Sequence, residues 1–250
     1  MLAPSDASVR SWADRAVRTS FMVSWESLDI QLRRIFALLG VFEGRSFTAP
    51  VVAHMAGLDK YTAEDRLFAL TALSLLSEEE SDRYRQHPLL ADFAQEQLGD
   101  NQVARISMAT YYQSFAAQQR INYDALRPEW ENMMAGMRAA HAFQQWPLVL
   151  AYADALTQAW FVRARYSQAR RAYAWARHAA IAVVDDPALA TCLLKWGQAC
   201  IEQNDHLEAE ELLLESKRIY ERLQNAAGIA KAEHYLARIA LEQAKYDQAE

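Results

Sequence analysis

The side chains able to do chemistry are few and scattered. The 250-residue chain holds six His and two Cys. No two His lie three to five positions apart, so no single helix face offers two imidazoles to a metal. Cys192 and Cys200 stand eight positions apart. On a helix that is about two turns, too far for a disulfide. Both read as small buried residues, which fits a reducing compartment. None of the seven glycines (Gly40, Gly44, Gly57, Gly99, Gly136, Gly197 and Gly228) is followed by Lys, so the phosphate-binding Walker loop is missing. Gly-x-Ser-x-Gly is missing too. Asp185-Asp186 and Glu210-Glu211 read as solvated helix ends or faces. The chain is therefore expected to bind rather than to catalyse, with no metal and no ATP hydrolysis of its own.

The elements that would position a binding surface are helices. The hydrophobic fraction is 52%, with seven Gly and six Pro among abundant Ala, Leu, Gln, Glu and Arg. The formal charge is −6, which argues against long-range attraction to nucleic acid or anionic lipid. No apolar run approaches the ~18 residues of a membrane span. Residues 1–10 lack a signal-peptide core. A cytoplasmic location is expected.

A frame of 40 residues organises the second half. Arg165-Tyr-Ser-Gln-Ala169, Asp205-His-Leu-Glu-Ala209 and Lys245-Tyr-Asp-Gln-Ala249 align at that spacing. Leu156, Trp196 and Leu236 keep the same frame, as do Thr157, Gly197 and Ala237, and Ala159, Ala199 and Ile239. Small residues where two helices cross let the backbones approach. Thr157, Gly197 and Ala237 supply one side of that crossing, and Ala169, Ala209 and Ala249 the other. Trp160, Tyr173, Trp196, Leu213 and Leu236 fill the core, with Trp130, Trp146 and Trp175 also read as core. The charged residue before each ring falls in the turn between helices.

The pattern resembles the tetratricopeptide repeat, in a form longer than the usual ~34 residues. It covers residues 147–250. The array stops at Glu250 with its third hairpin barely begun, so a longer parent protein is expected. The resemblance implies a concave groove lined by the first helix of each hairpin. By register its rows are Asp154, Gln158 and Phe161; Leu194, Gln198 and Ile201; and His234, Arg238 and Leu241. Glu202, Lys231 and Glu242 lie nearby. Polar beside apolar residues in each row suits a protein or peptide partner.

The first hundred residues read differently. Asp29 is placed to cap a helix from Ile30 to about Leu39, with Leu32, Ile35, Phe36 and Leu39 on one face. Val41-Phe42 reads as a short extended piece and Glu43-Gly44 as a turn. Thr48 is expected to cap a helix through Met55, with Pro50 in its first turn and Gly57 past its end. Thr62 is expected to cap a third helix, to about Leu76, with Glu64 and Asp65 in its first turn. Residues 77–81 form an acidic hairpin tip and 83–86 a returning strand. His87-Pro88 opens a last helix to Leu98, ended by Gly99.

Three helices, a hairpin and a helix make a winged-helix order. Such folds often read DNA with the third helix and the wing. Here those elements carry Glu64, Asp65, Glu78, Glu79, Glu80 and Asp82 against Arg66, Arg83 and Arg85. Phosphate contact asks for the opposite balance. A protein-facing wing is the better reading, and a DNA-binding transcriptional regulator with a repeat-based sensor is the alternative. A scaffold with no switching is a further one.

Ser24-Trp-Glu-Ser-Leu-Asp29, Leu32-Arg-Arg-Ile-Phe36, Gly40-Val-Phe42, Ser74-Leu-Leu76 and Arg83-Tyr-Arg-Gln-His-Pro-Leu-Leu90 stand in that order. Together they resemble the winged helix of the signal-transducing NTPases with numerous domains (STAND proteins). These include the NB-ARC ATPases and large bacterial ATPase regulators. Glu129-Trp-Glu-Asn132 and Met137-Arg-Ala-Ala-His141 resemble the helical linker into their repeat arrays. The implied layout is a linker or helix at 1–24, a winged helix at 25–100, a helical linker at 101–146 and repeats at 147–250. The expected fold is mainly α, a winged helix with a small β-hairpin before an α-solenoid. The resemblance further implies an upstream nucleotide-binding domain in the parent protein, with ATP or ADP as its cofactor. It places His87 where a family His reaches the bound ADP. Pro88-Leu89 departs from the acidic residue that some members carry there.

Overall fold

A computed structural model describes residues 21–247, with side chains to Ala244. Most of residues 1–24, and Ala249 of the repeat frame, lie outside the described residues. The chain forms two compact units, divided between Tyr111 and Tyr112. That division falls inside the segment 101–146.

In the first unit, residues 21–27 are helical and lead into α1 (Ile30–Leu38), capped by Asp29, whose carboxylate accepts from the Leu32 N–H at 2.8 Å. Trp25 then packs edge-on against Phe93 at 5.6 Å and beside Phe36 at 5.5 Å. Its carbonyl accepts from Arg33 Nε at 3.0 Å. Leu39–Phe42 is a 3₁₀ turn rather than the extended piece expected at Val41-Phe42. The reason is packing on α4 (Pro88–Leu98): a Cβ on Gly40 would sit 2.7 Å from the backbone of Ala94. Only a glycine permits that approach, so the turn tightens around it.

β1 (Phe47–Thr48) follows, where no strand was expected. Thr48 precedes α2 (Ala49–Ala56) as N-cap, without a side-chain hydrogen bond, and Gly57 ends the helix at φ 67°. α3 is Lys60–Ala72, capped by Asp59 and not by Thr62. Asp59 accepts from the Thr62 backbone N–H at 3.0 Å and from its hydroxyl at 2.6 Å, so Thr62 is the donor of the capping pair. These two Thr62 bonds hold the Asp59 carboxyl below its usual range. α3 also ends earlier than expected. Leu75 and Leu76 turn into the core, and β2 (Ser77–Glu79) begins where a hairpin tip was expected. β3 (Arg83–Arg85) pairs antiparallel with both, giving the order β1-β3-β2. Phe47 faces Tyr84 across β1 and β3, and Phe42 stacks on Phe47 at 4.3 Å.

α5 (Gln102–Gln118) carries the chain across the division. The second unit then contains α6 (Tyr123–Ala142), α7 (Trp146–Val162), α8 (Tyr166–Ala182), α9 (Asp186–Ile201), α10 (His206–Arg222) and α11 (Ala226–Asp247). From α7 onward, helices open at 146, 166, 186, 206 and 226. A left-handed residue precedes each by two: Gln144, Ala164, Val184, Asn204 and Gln224. Each turn closes with the same backbone bonds. The next residue's N–H reaches back five positions: Gln145 to Ala140, Arg165 to Trp160, Asp185 to Ala180, Asp205 to Cys200 and Asn225 to Tyr220. This is the Schellman arrangement, which satisfies the last carbonyls of each helix.

The 40-residue frame is thus two helix-and-turn units of twenty residues each. Ala159, Ala199 and Ile239 are all buried, as are Leu156 and Trp160. Gly197 is the small crossing residue of its hairpin. A Cβ there would meet Leu213 at 2.8 Å and the Ala209 carbonyl at 3.3 Å. One expected turn is absent: α11 runs unbroken through Lys245. Gln243, Ala244 and Lys245 are strong helix formers, and no later helix among the described residues holds a turn there. Among the described residues, no helix is long and apolar enough to cross a membrane.

Candidate binding groove

A groove of about 530 Å³ lies on the second unit, between α7 and α9. It is built upward from the hairpin packing. Tyr173 of α8 is fully buried beneath it, and its hydroxyl meets Thr157 Oγ at 2.9 Å. Burial raises the Tyr173 pKa, so this phenol stays protonated. Pro187 opens α9, and Asp185 caps it by accepting from the Ala188 N–H at 2.9 Å. Thr191 stands one turn further along, its hydroxyl donating to the Pro187 carbonyl at 2.9 Å. Leu150, Ala153, Ala188 and Cys192 give the groove apolar walls.

The rim is polar. Arg120 holds Asp154 through Nη2 to Oδ2 at 2.9 Å. Gln158 is exposed beside it. Lys195 reaches along α9, donating to Gln198 Oε1 at 3.2 Å, with its Nζ 5.6 Å from the centre of the Phe161 ring. Burial, and then Lys231, hold its pKa below the usual lysine value. A mixed apolar and polar concavity of this size is what small ligands and peptide side chains occupy.

The expected rows divide. Asp154 and Gln158 line the groove, and Phe161 and Gln198 flank it through Lys195. Leu194 and Ile201 are 3% and 1% exposed, inside the hairpin core, so they line no groove. The register placed them one position off the α9 face that Thr191 and Lys195 occupy. His234, Arg238 and Leu241 lie on α11 and not among the groove's lining residues. Arg238 is held by Glu202 at 2.7 Å and Glu242 at 2.9 Å. Leu241 is 64% exposed and His234 is exposed beside Tyr235. Lys195, Thr191, Arg120 and Tyr173 were missed as groove residues. A half-apolar α9 carrying a single Lys was the available signal for the first of them.

The remaining candidates are accounted for locally. His87 is exposed at the start of α4, and its Nδ1 accepts from the Leu89 N–H at 3.4 Å. Cys192 and Cys200 are free and buried. Burial, with Asp185 adding to it, pushes the Cys192 thiol up to about 12. Burial pushes Cys200 up to about 12 as well, against the pull of Arg170. Neither is poised as a nucleophile. Asp186 pairs with Arg222 at 2.7 Å. Among the described residues, no group of three or more His, Cys, Asp or Glu could hold a metal.

One cluster was not foreseen. His141 Nε2 and His178 Nδ1 lie 3.0 Å apart. Trp146 and Trp175 pack around them, with Trp175 stacked on His141 at 5.8 Å. In sequence the two imidazoles are 37 positions apart.

Comparison with known proteins finds no matching family model, no matching curated protein and no matching solved structure.

Proposed function

We propose that this chain is the regulatory and sensor part of a STAND-type ATPase. Its helical hairpins bind a peptide or protein, and its N-terminal unit, read as a winged helix, relays that binding to an ATPase core elsewhere in the parent protein. The observation that carries the reading is the groove between α7 and α9, on the first helices of two successive hairpins. The element order of the first unit supports the second half of the reading: helix, strand, two helices, hairpin, helix. So does the character of α3. Tyr61 and Phe68 are 77% and 69% exposed on it, and Asp65 lies between them on the same exposed stripe. Exposed aromatic rings with acid between them suit a protein surface better than phosphate. His87, exposed at a helix start, is the position through which ADP would be sensed in the parent.

Selection of random displayed peptides on the full chain tests the binding role. Ala188→Trp fills the groove and serves as the comparison. The wild type should enrich a shared motif that the variant, still folded by far-UV circular dichroism, does not retain. A motif enriched equally by both would place binding elsewhere. Enrichment of none would remove the peptide-binding role.

A further inference from the structure

We propose that the groove recognises an acidic side chain of its peptide, and that Lys195 is the residue that reads it. This rests on the reading of the hairpins as a peptide-binding array. Many other cations of the second unit have carboxylates beside them, and Lys195 is the cation of the groove lining that does not. Arg120 holds Asp154, Arg170 holds Asp205 and Glu208, Lys217 holds Glu233, and Arg238 holds Glu202 and Glu242. Lys195 is half-buried, and among the described residues no carboxylate stands within ion-pair distance of it. Its one polar contact is the Gln198 amide oxygen.

The carboxylates that could have approached are engaged. Asp154 is held by Arg120, and Asp185 caps α9. Lys231, the other charge felt by Lys195, is a cation and worsens its situation. An ammonium removed from water without an anion is unfavourable, and the cost is relieved when a carboxylate arrives. Nζ carries three donors and spends one on Gln198, so two remain for an incoming oxygen pair. The Phe161 ring, 5.6 Å away, steadies the charge from the other side. Leu150, Ala153 and Ala188 form an apolar wall that would take the residue next to the acid.

The same peptide selection, run on the full chain as wild type, Lys195→Gln and Lys195→Glu, tests this. The wild type should enrich peptides with Asp or Glu at one fixed position. Lys195→Gln should lose that preference and weaken the selected peptide about tenfold. Lys195→Glu should enrich Lys or Arg at that position. Thermal melting establishes that each variant is folded, and Lys195→Gln alone decides if the charge reversal is not. A wild-type motif without an acid, or an acid preference that survives Lys195→Gln, overturns the inference and leaves the peptide-binding reading standing. No enriched motif at all overturns that reading, and the inference with it.

Discussion

The His141 and His178 rings meet at 3.0 Å between their nitrogens, against Trp146 and Trp175 and with His178 exposed. Burial, and then the neighbouring His178, hold the His141 pKa below its ordinary 6.5. The sign of the stability effect follows from linkage. A folded-state pKa below the unfolded one means that the unfolded chain binds the proton more tightly. Stability is then full above pH ~6.5 and falls as the pH drops from there toward the lower folded value. Urea should therefore unfold the chain more easily as the pH falls below about 6.5, and His141→Gln should flatten that slope. An unchanged slope in the variant would assign the dependence to other groups. At this scale the sequence was only partly readable. Both cysteines and the buried Trp130 and Trp160 could be placed from residue type alone. The imidazole pair could not, because local spacing detects ligands on one helix and these sit on two. Leu194 and Ile201 were misplaced for a related reason. A frame shared between repeats fixes which positions correspond, but a one-position error moves a side chain about 100° around the helix.

Among the elements, the turns carry the clearest regularity. Five left-handed residues recur at intervals of twenty, and not one is glycine. Val184 is the least suited of them, being β-branched at φ 57° and 85% exposed. Val184→Gly removes a backbone conflict and little packing. It should raise the stability of the hairpin unit by about 1 kcal/mol, or its melting point by about 2–4 °C. A lower melting point would mean that the Val184 side chain contributes more than its backbone costs. This twenty-residue turn was hidden in the sequence because its members share a conformation and no chemical feature. The forty-residue hairpin was legible because Ala159, Ala199 and Ile239 share a burial requirement. In the first unit, the cap at Asp29, the helix opening at His87-Pro88 and the stops at Gly57 and Gly99 were legible from local chemistry. β1 and β2 were not, since strands of two and three residues are defined by their pairing with β3.

Across the whole molecule, the second unit is held by contacts that repeat. Ion pairs join residues about one hairpin apart: Arg163 with Asp124, Arg170 with Glu208, Arg222 with Asp186 and Arg238 with Glu202. Such pairs add little stability singly; Arg170–Glu208 and Arg238–Glu202 run from one hairpin to the next, while Arg222–Asp186 lies within one. The α7–α9 groove takes its floor from α8, whose Tyr173 is buried beneath it. The groove's existence was implied by the repeat, while its composition depended on which face each helix turned outward. The most direct test of its role is hydrogen–deuterium exchange on the full chain, with and without a peptide taken from the selection. Peptide should slow exchange in 150–158 and 187–198, and Lys195→Glu should abolish the slowing. Slowing confined to residues 21–111, or none at peptide concentrations that saturate binding, would contradict a binding site on the hairpins.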